Sequence, residues 1–146
     1  MTSDGQKAIT YATVERVLVT VISSNDPTDD EFDAYYTWSH ARDGAWDAKL
    51  VYSMGGALNA KQRRQTTSQV KPTDPSVAVM TDSVFMRGVV TALAAAAFGS
   101  KMKAFALDDF EAPFLHLALG RARSEAVRAE VARLIPEVTP GAATSA

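Results

Sequence analysis

The chain has 146 residues, 47% of them apolar and 22% charged, a length that suits one domain of the usual size of about 100–150 residues. It contains no cysteine, which excludes disulfides, thiolate metal sites and cysteine nucleophiles together. A net charge of −2 creates no field to draw in nucleic acid, and none is expected as a partner.

The opening MTSDGQK puts Asp4 and Gly5 where a signal peptide needs a basic stretch and an apolar run. The longest apolar run, Val89 to Phe98, includes Thr91 and falls short of the about 20 residues that span a bilayer. The expectation is a cytoplasmic protein with no membrane span, flexible over 1–7, folded as a single domain over 8–136, and ending in a flexible tail over 137–146.

Two strands come first. Ala8 to Thr13 alternates weakly and Val17 to Ile22 is rich in β-branched residues, with room between them only for a tight antiparallel hairpin. Turn-forming residues Ser23 to Pro27 stop the second strand. Thr28, with Glu31 three residues on, forms a capping box for a helix that carries Phe32, Tyr35, Tyr36 and Ser39 on one face. That helix is expected to end near Gly44, and Trp38 and Trp46 to lie at the rim of the aromatic group.

Lys49 to Met54 predicts a third strand stopped by Gly55-Gly56, and Asn59 caps a largely polar helix, AKQRRQTTSQV. The most informative stretch follows. Val77 to Thr81 is a fourth strand, Thr81-Asp82-Ser83 a turn, VFMRGVVTALAAAAF the most hydrophobic helix, and Met102 to Leu107 a fifth strand. Parallel strands need such a crossover, because joining them takes a dozen or more residues. Asp108 and Glu111 bracket the next helix start, with Pro113 early in it. A final helix, Arg123 to Ile135, carries Val127, Val131 and Leu134 on one face and is expected to close at Pro136. The pattern predicts an α/β fold: a mixed five-stranded sheet with the first strand antiparallel, the rest mainly parallel, and four to five helices.

In open α/β sheets, ligands bind beyond the carboxyl ends of the strands. Two groups of polar residues fall there. Thr81, Asp82, Ser83 and Arg87 form a candidate interaction or switch turn, where helix N–H groups and a guanidinium suit a phosphate or carboxylate. Asn59, Arg63 and Arg64 form a candidate anion site. Each has a plainer reading: Asp82 or Ser83 as a helix cap, Gly55-Gly56 as a simple turn without P-loop spacing, and the basic residues as a solvated helix face. His40 and His116 stand alone, at no zinc-binding spacing and with no catalytic partner in sequence. No catalytic residue, metal site or cofactor is expected.

The segments VLVTVISSNDPTDDEFDAYY, KLVYSMGGALNAKQRRQ and VAVMTDSVFMRGVVTALAAAAF followed by MKAFALDDFEAPFLHL together resemble the SpoIIAA-like family of small bacterial proteins, related to STAS and CRAL-TRIO domains. The likeness runs from about Tyr11 to Leu119. It implies a non-enzymatic domain that acts in regulation through a protein partner or as a homodimer, or that carries an apolar small molecule or lipid. STAS antagonists of anti-sigma factors hold a phosphorylated hydroxyl in an Asp-Ser-Ser/Thr-Gly turn. Here the turn is Asp82-Ser83-Val84-Phe85, without the second hydroxyl or the glycine, and the extra helix between the third and fourth strands favours the SpoIIAA-like branch. A closed core would point to the partner role, and a continuous apolar cavity to the carrier.

Overall fold

The computed structural model describes residues 7–68 and 70–138, so the expected flexible ends lie outside the described residues except for Lys7, Glu137 and Val138. The strands are β1 (Ile9–Val14), β2 (Val17–Ile22), β3 (Ala48–Ser53), β4 (Ser76–Met80) and β5 (Met102–Phe105). They form one sheet in the order β1-β2-β3-β4-β5, with β1 antiparallel to β2 and every other pair parallel. This is the predicted α/β mixed sheet. The helices are α1 (Asp29–His40), α2 (Ala60–Ser68), α3 (Val84–Leu93), α4 (Ala112–His116) and α5 (Arg121–Val138).

The hairpin turn consists of Glu15 and Arg16 alone, both at positive φ (50° and 63°), the backbone that a two-residue turn needs to match strand twist. Neither is glycine, and the turn is held from outside. Arg123 of α5 donates to the Glu15 carbonyl at 2.9 Å and pairs with Asp47, which also faces Arg16 at 3.6 Å.

α1 begins as predicted: Thr28 accepts from the Glu31 N–H at 3.1 Å and Glu31 accepts from the Thr28 N–H at 2.9 Å. It ends at His40, with a turn running on to Gly44. Trp46 is buried rather than at the rim, its indole N–H bonded to Thr13 at 2.9 Å. At α4 it is Asp109, rather than the expected Asp108 and Glu111, that caps the helix by accepting from the N–H groups of Glu111 and Ala112. Pro113 sits in the first turn, where its missing N–H leaves no bond unmade. α5 does not close at Pro136 but continues to Val138. That last turn is tied down by the buried Val138 and by Thr10, which donates to Glu137 at 2.6 Å.

Two cores result. On one sheet face, α4 and α5 cover Val17, Val19, Val21, Leu50 and Met80 with Phe114, Val127, Val131 and Leu134. On the other, Met86, Val89, Val90 and Leu93 of α3 pack on Val77, Val79 and Met102. Past Leu93 the helix widens into one π turn, Ala94–Phe98, and then a 3-10 turn, Gly99–Lys101. The stretch Val84–Lys101 is long and apolar enough to cross a membrane by length and composition, a test that the core helix of a soluble protein also passes.

Candidate functional site

Each polar group of the Thr81–Arg87 turn has a structural partner except the Arg87 guanidinium. Thr81 is buried and its hydroxyl accepts from the Ser83 N–H at 3.1 Å. Asp82 accepts from the Leu107 N–H at 3.0 Å, tying the end of β4 to the chain beyond β5. Ser83 is the N-cap of α3 and accepts from the Met86 N–H at 3.1 Å. Arg87 is half-buried and makes no side-chain ion pair or hydrogen bond among the described residues. Directly after the cap, Val84 and Phe85 are 85% and 65% exposed, an unusual pair of apolar side chains to leave in water.

The β3–α2 loop is a turn rather than an anion cradle. The N–H groups of Gly55, Gly56 and Ala57 donate to Ser53 Oγ, the Ser23 carbonyl and Asp26 respectively, so none is left for a phosphate. Gly56 has no substitute, because a Cβ there would lie 2.1 Å from the Asn25 carbonyl oxygen. Asn59 caps α2 by accepting from the Gln62 N–H at 2.8 Å and donates its amide to Asp29 at 2.9 Å. Gln62 is 1% exposed and its Oε1 accepts in return from the Asn59 N–H at 3.1 Å. Arg63 donates to the Leu58 carbonyl at 2.8 Å, and Arg64 is exposed. The nearby charge is the Asp29 carboxylate, which Asn59 and Lys61 hold below the usual carboxylate range.

The two histidines are far apart in role. His116 Nε2 bonds the Lys101 carbonyl oxygen at 2.8 Å, and its ring lies 5.6 Å from that of Phe105. His40 stacks on Tyr36 at the end of α1. Among the described residues, no group of three or more metal-ligating side chains converges.

The sequence left open whether an apolar cavity exists; one of about 160 Å³ lies between the sheet and α1, α2 and α3. Strand alternation builds its floor, since Thr20, Ile22, Lys49, Val51, Val77 and Val79 all point to this face. α1 supplies Phe32, Tyr35 and Tyr36 as one wall, and α3 supplies Met86, Val90 and Leu93 as another. Trp46 and Phe98 add further ring surface. The exposed lining residues, His40, Asp43 and Lys71, mark the open end. Lys71 pairs with Asp43 there, and this contact first of all holds the Asp43 carboxyl below its usual range and raises the Lys71 ammonium.

One cation reaches the floor. Lys49 sits on β3 between Leu18 and Val77 of the flanking strands, its ammonium 5.6 Å from the Trp46 ring centre. Burial pushes its pKa below the ordinary value, opposed by the more distant charges of Asp74 and Asp43. Tyr35 is satisfied by Thr20, 3.1 Å from its hydroxyl. Tyr36 is not: its buried hydroxyl makes no hydrogen bond of normal geometry, and the polar group beside it is the Ser68 hydroxyl. A lysine at an inward position of a central strand was the available sequence signal, because strands covered on both faces otherwise carry apolar side chains there.

No protein-family model, no curated protein and no solved structure matches this chain. The resemblance to the SpoIIAA-like family therefore rests on the order of elements and the segments quoted for it.

Proposed function

We propose that the chain is a non-enzymatic binding domain of SpoIIAA-like type that takes up a small, mainly apolar molecule between α1, α2, α3 and the sheet. The observation that carries this reading is the cavity itself. It lies on one face of the sheet only, is walled by aliphatic and aromatic side chains, and opens to solvent at Asp43 and Lys71. Its size favours a small ligand. A dry cavity of about 150 Å³ accepts a benzene-sized molecule, so 160 Å³ suits one ring or a short branched chain rather than a long-chain lipid.

The test uses toluene and indole as probes, with the melting temperature and Trp fluorescence as readouts, because Trp46 lines the cavity. Binding should raise the melting temperature by mass action. Val90→Phe, which puts a ring into the space, should remove that response in a folded protein. Absence of any shift with wild type, or an equal shift with Val90→Phe, would overturn the reading.

A second reading, regulation through a protein partner, is supported by exposed Val84 and Phe85 beside the Ser83 cap. Large apolar side chains left in water next to each other mark interaction sites more often than single ones do. Under this reading Val84→Asp with Phe85→Asp abolishes capture of the partner from host lysate while the toluene response persists.

A further inference from the structure

We infer that the molecule taken up is an organic anion, an aromatic or short branched-chain carboxylate whose carboxylate is received by Lys49 and Tyr36. This rests on the cavity reading above and adds to it the charge of the ligand.

Two donors line the same space without a hydrogen bond of normal geometry. The Lys49 ammonium has no hydrogen bond and no carboxylate within ion-pair distance among the described residues; its one close contact is the face of Trp46. The Tyr36 hydroxyl is buried and makes no hydrogen bond of normal geometry, with only the Ser68 hydroxyl beside it. A buried donor left without a partner costs free energy, and a buried unpaired cation costs more. The neighbouring acids ease the burial of Lys49 from a distance, but neither pairs with it. Asp43 is engaged by the Lys71 ammonium, and Asp74 accepts from the Lys71 N–H at 2.8 Å while its carbonyl holds Lys101 at 2.6 Å. Strand register makes the deficit local, since the same-face neighbours of Lys49 across the sheet are Leu18 and Val77.

A neutral hydrocarbon would fill the volume and leave both donors as they are. A carboxylate offers two acceptor oxygens and a counter-charge in one group, and so answers both needs while its ring or chain covers the apolar floor. Lysine serves here as a charge-selecting group on a rigid strand, at the inner side of an entrance whose own charges, Lys71 and Asp43, are already matched.

The experiment is isothermal titration of the full chain with benzoate and with benzyl alcohol, which match in size and differ in charge. Wild type should prefer benzoate by about tenfold or more, the usual worth of a hydrogen bond to a charged group. Lys49→Met should lose that preference and still bind benzyl alcohol, which also certifies its fold. Tyr36→Phe should weaken benzoate by a smaller factor than Lys49→Met does and narrow, without abolishing, its preference over benzyl alcohol. If wild type binds both equally, or Lys49→Met leaves the benzoate preference intact, the charge assignment falls and the cavity stands. If wild type binds neither, both fall.

Discussion

The two faces of one sheet have been finished differently. Beneath α4 and α5, residues from three parallel strands meet an unbroken row of Val127, Val131, Leu134 and Val138, all nearly inaccessible. Beneath α1, α2 and α3 the same strands present Lys49 and Val51 to helices that do not fully close over them. α2 explains much of this: it is polar, and Gln62 is its one buried residue. A helix that contributes an amide to its own cap instead of an apolar side chain to the sheet leaves room behind it. The contrast shows that one face of a sheet can be packed solid while the other keeps a cavity beside its own core.

The sharpest way to break this comparison is to delete volume on each side. Leu134→Ala under α5 should cost about 2–5 kcal/mol, measured by urea unfolding. Leu93→Ala, which borders the existing cavity, should fall at the low end of that range, because fewer contacts are lost. Equal losses would show that the two faces are packed alike.

Adding volume gives the next largest contrast. Val127→Phe should destabilise by about 1–3 kcal/mol, as overpacking of a filled core does. Val79→Leu, on the cavity floor beside α3, should cost less than Val127→Phe because the cavity can take the added methylene, and should reduce toluene binding. A large loss from Val79→Leu would mean that the space collapses in solution.

Removal of the Ser83 hydroxyl tests how firmly the cavity-side helix is started. Ser83→Ala should cost about 1 kcal/mol through its lost bond to the Met86 N–H, seen as a lower denaturation midpoint with unchanged slope. No loss at all would show that the cap is dispensable and would return Ser83 to consideration as a free hydroxyl.

The smallest effect is a pH dependence. Burial depresses the pKa of Lys49 below 10.5 in the folded state, so the unfolded chain binds more protons in the interval between the two values. Stability from this group is therefore reduced at neutral pH, and the reduction is relieved as pH rises through the folded pKa toward 10.5. Lys49→Met should accordingly be as stable as wild type or more so at pH 7, with the gap narrowing as pH rises. The tyrosines whose pKa values burial raises, Tyr35, Tyr36 and Tyr52, are common to both proteins and drop out of the difference. A gap that does not change with pH would place Lys49 in water, and one that widens would mean that a carboxylate pairs with it.

The element order, the antiparallel hairpin, the parallel crossovers and the capping box at Thr28 could all be read from residue order, because alternation, turn chemistry and helix caps act over a few residues. The caps at Ser83 and Asn59 were legible for the same reason, as the plainer of two readings. Boundaries that depend on distant partners were not. The last turn of α5 exists past Pro136 because Thr10 and the core hold Glu137 and Val138, and Trp46 is buried because Thr13 of the first strand takes its N–H. The cavity belongs to this second kind. Lys49, Tyr36 and Val90 lie on three elements far apart in sequence, and a void is a property of how completely helices cover a sheet. Local sequence determined which side chains face inward on each strand; only the packing of α1, α2 and α3 decided that some of them would meet nothing.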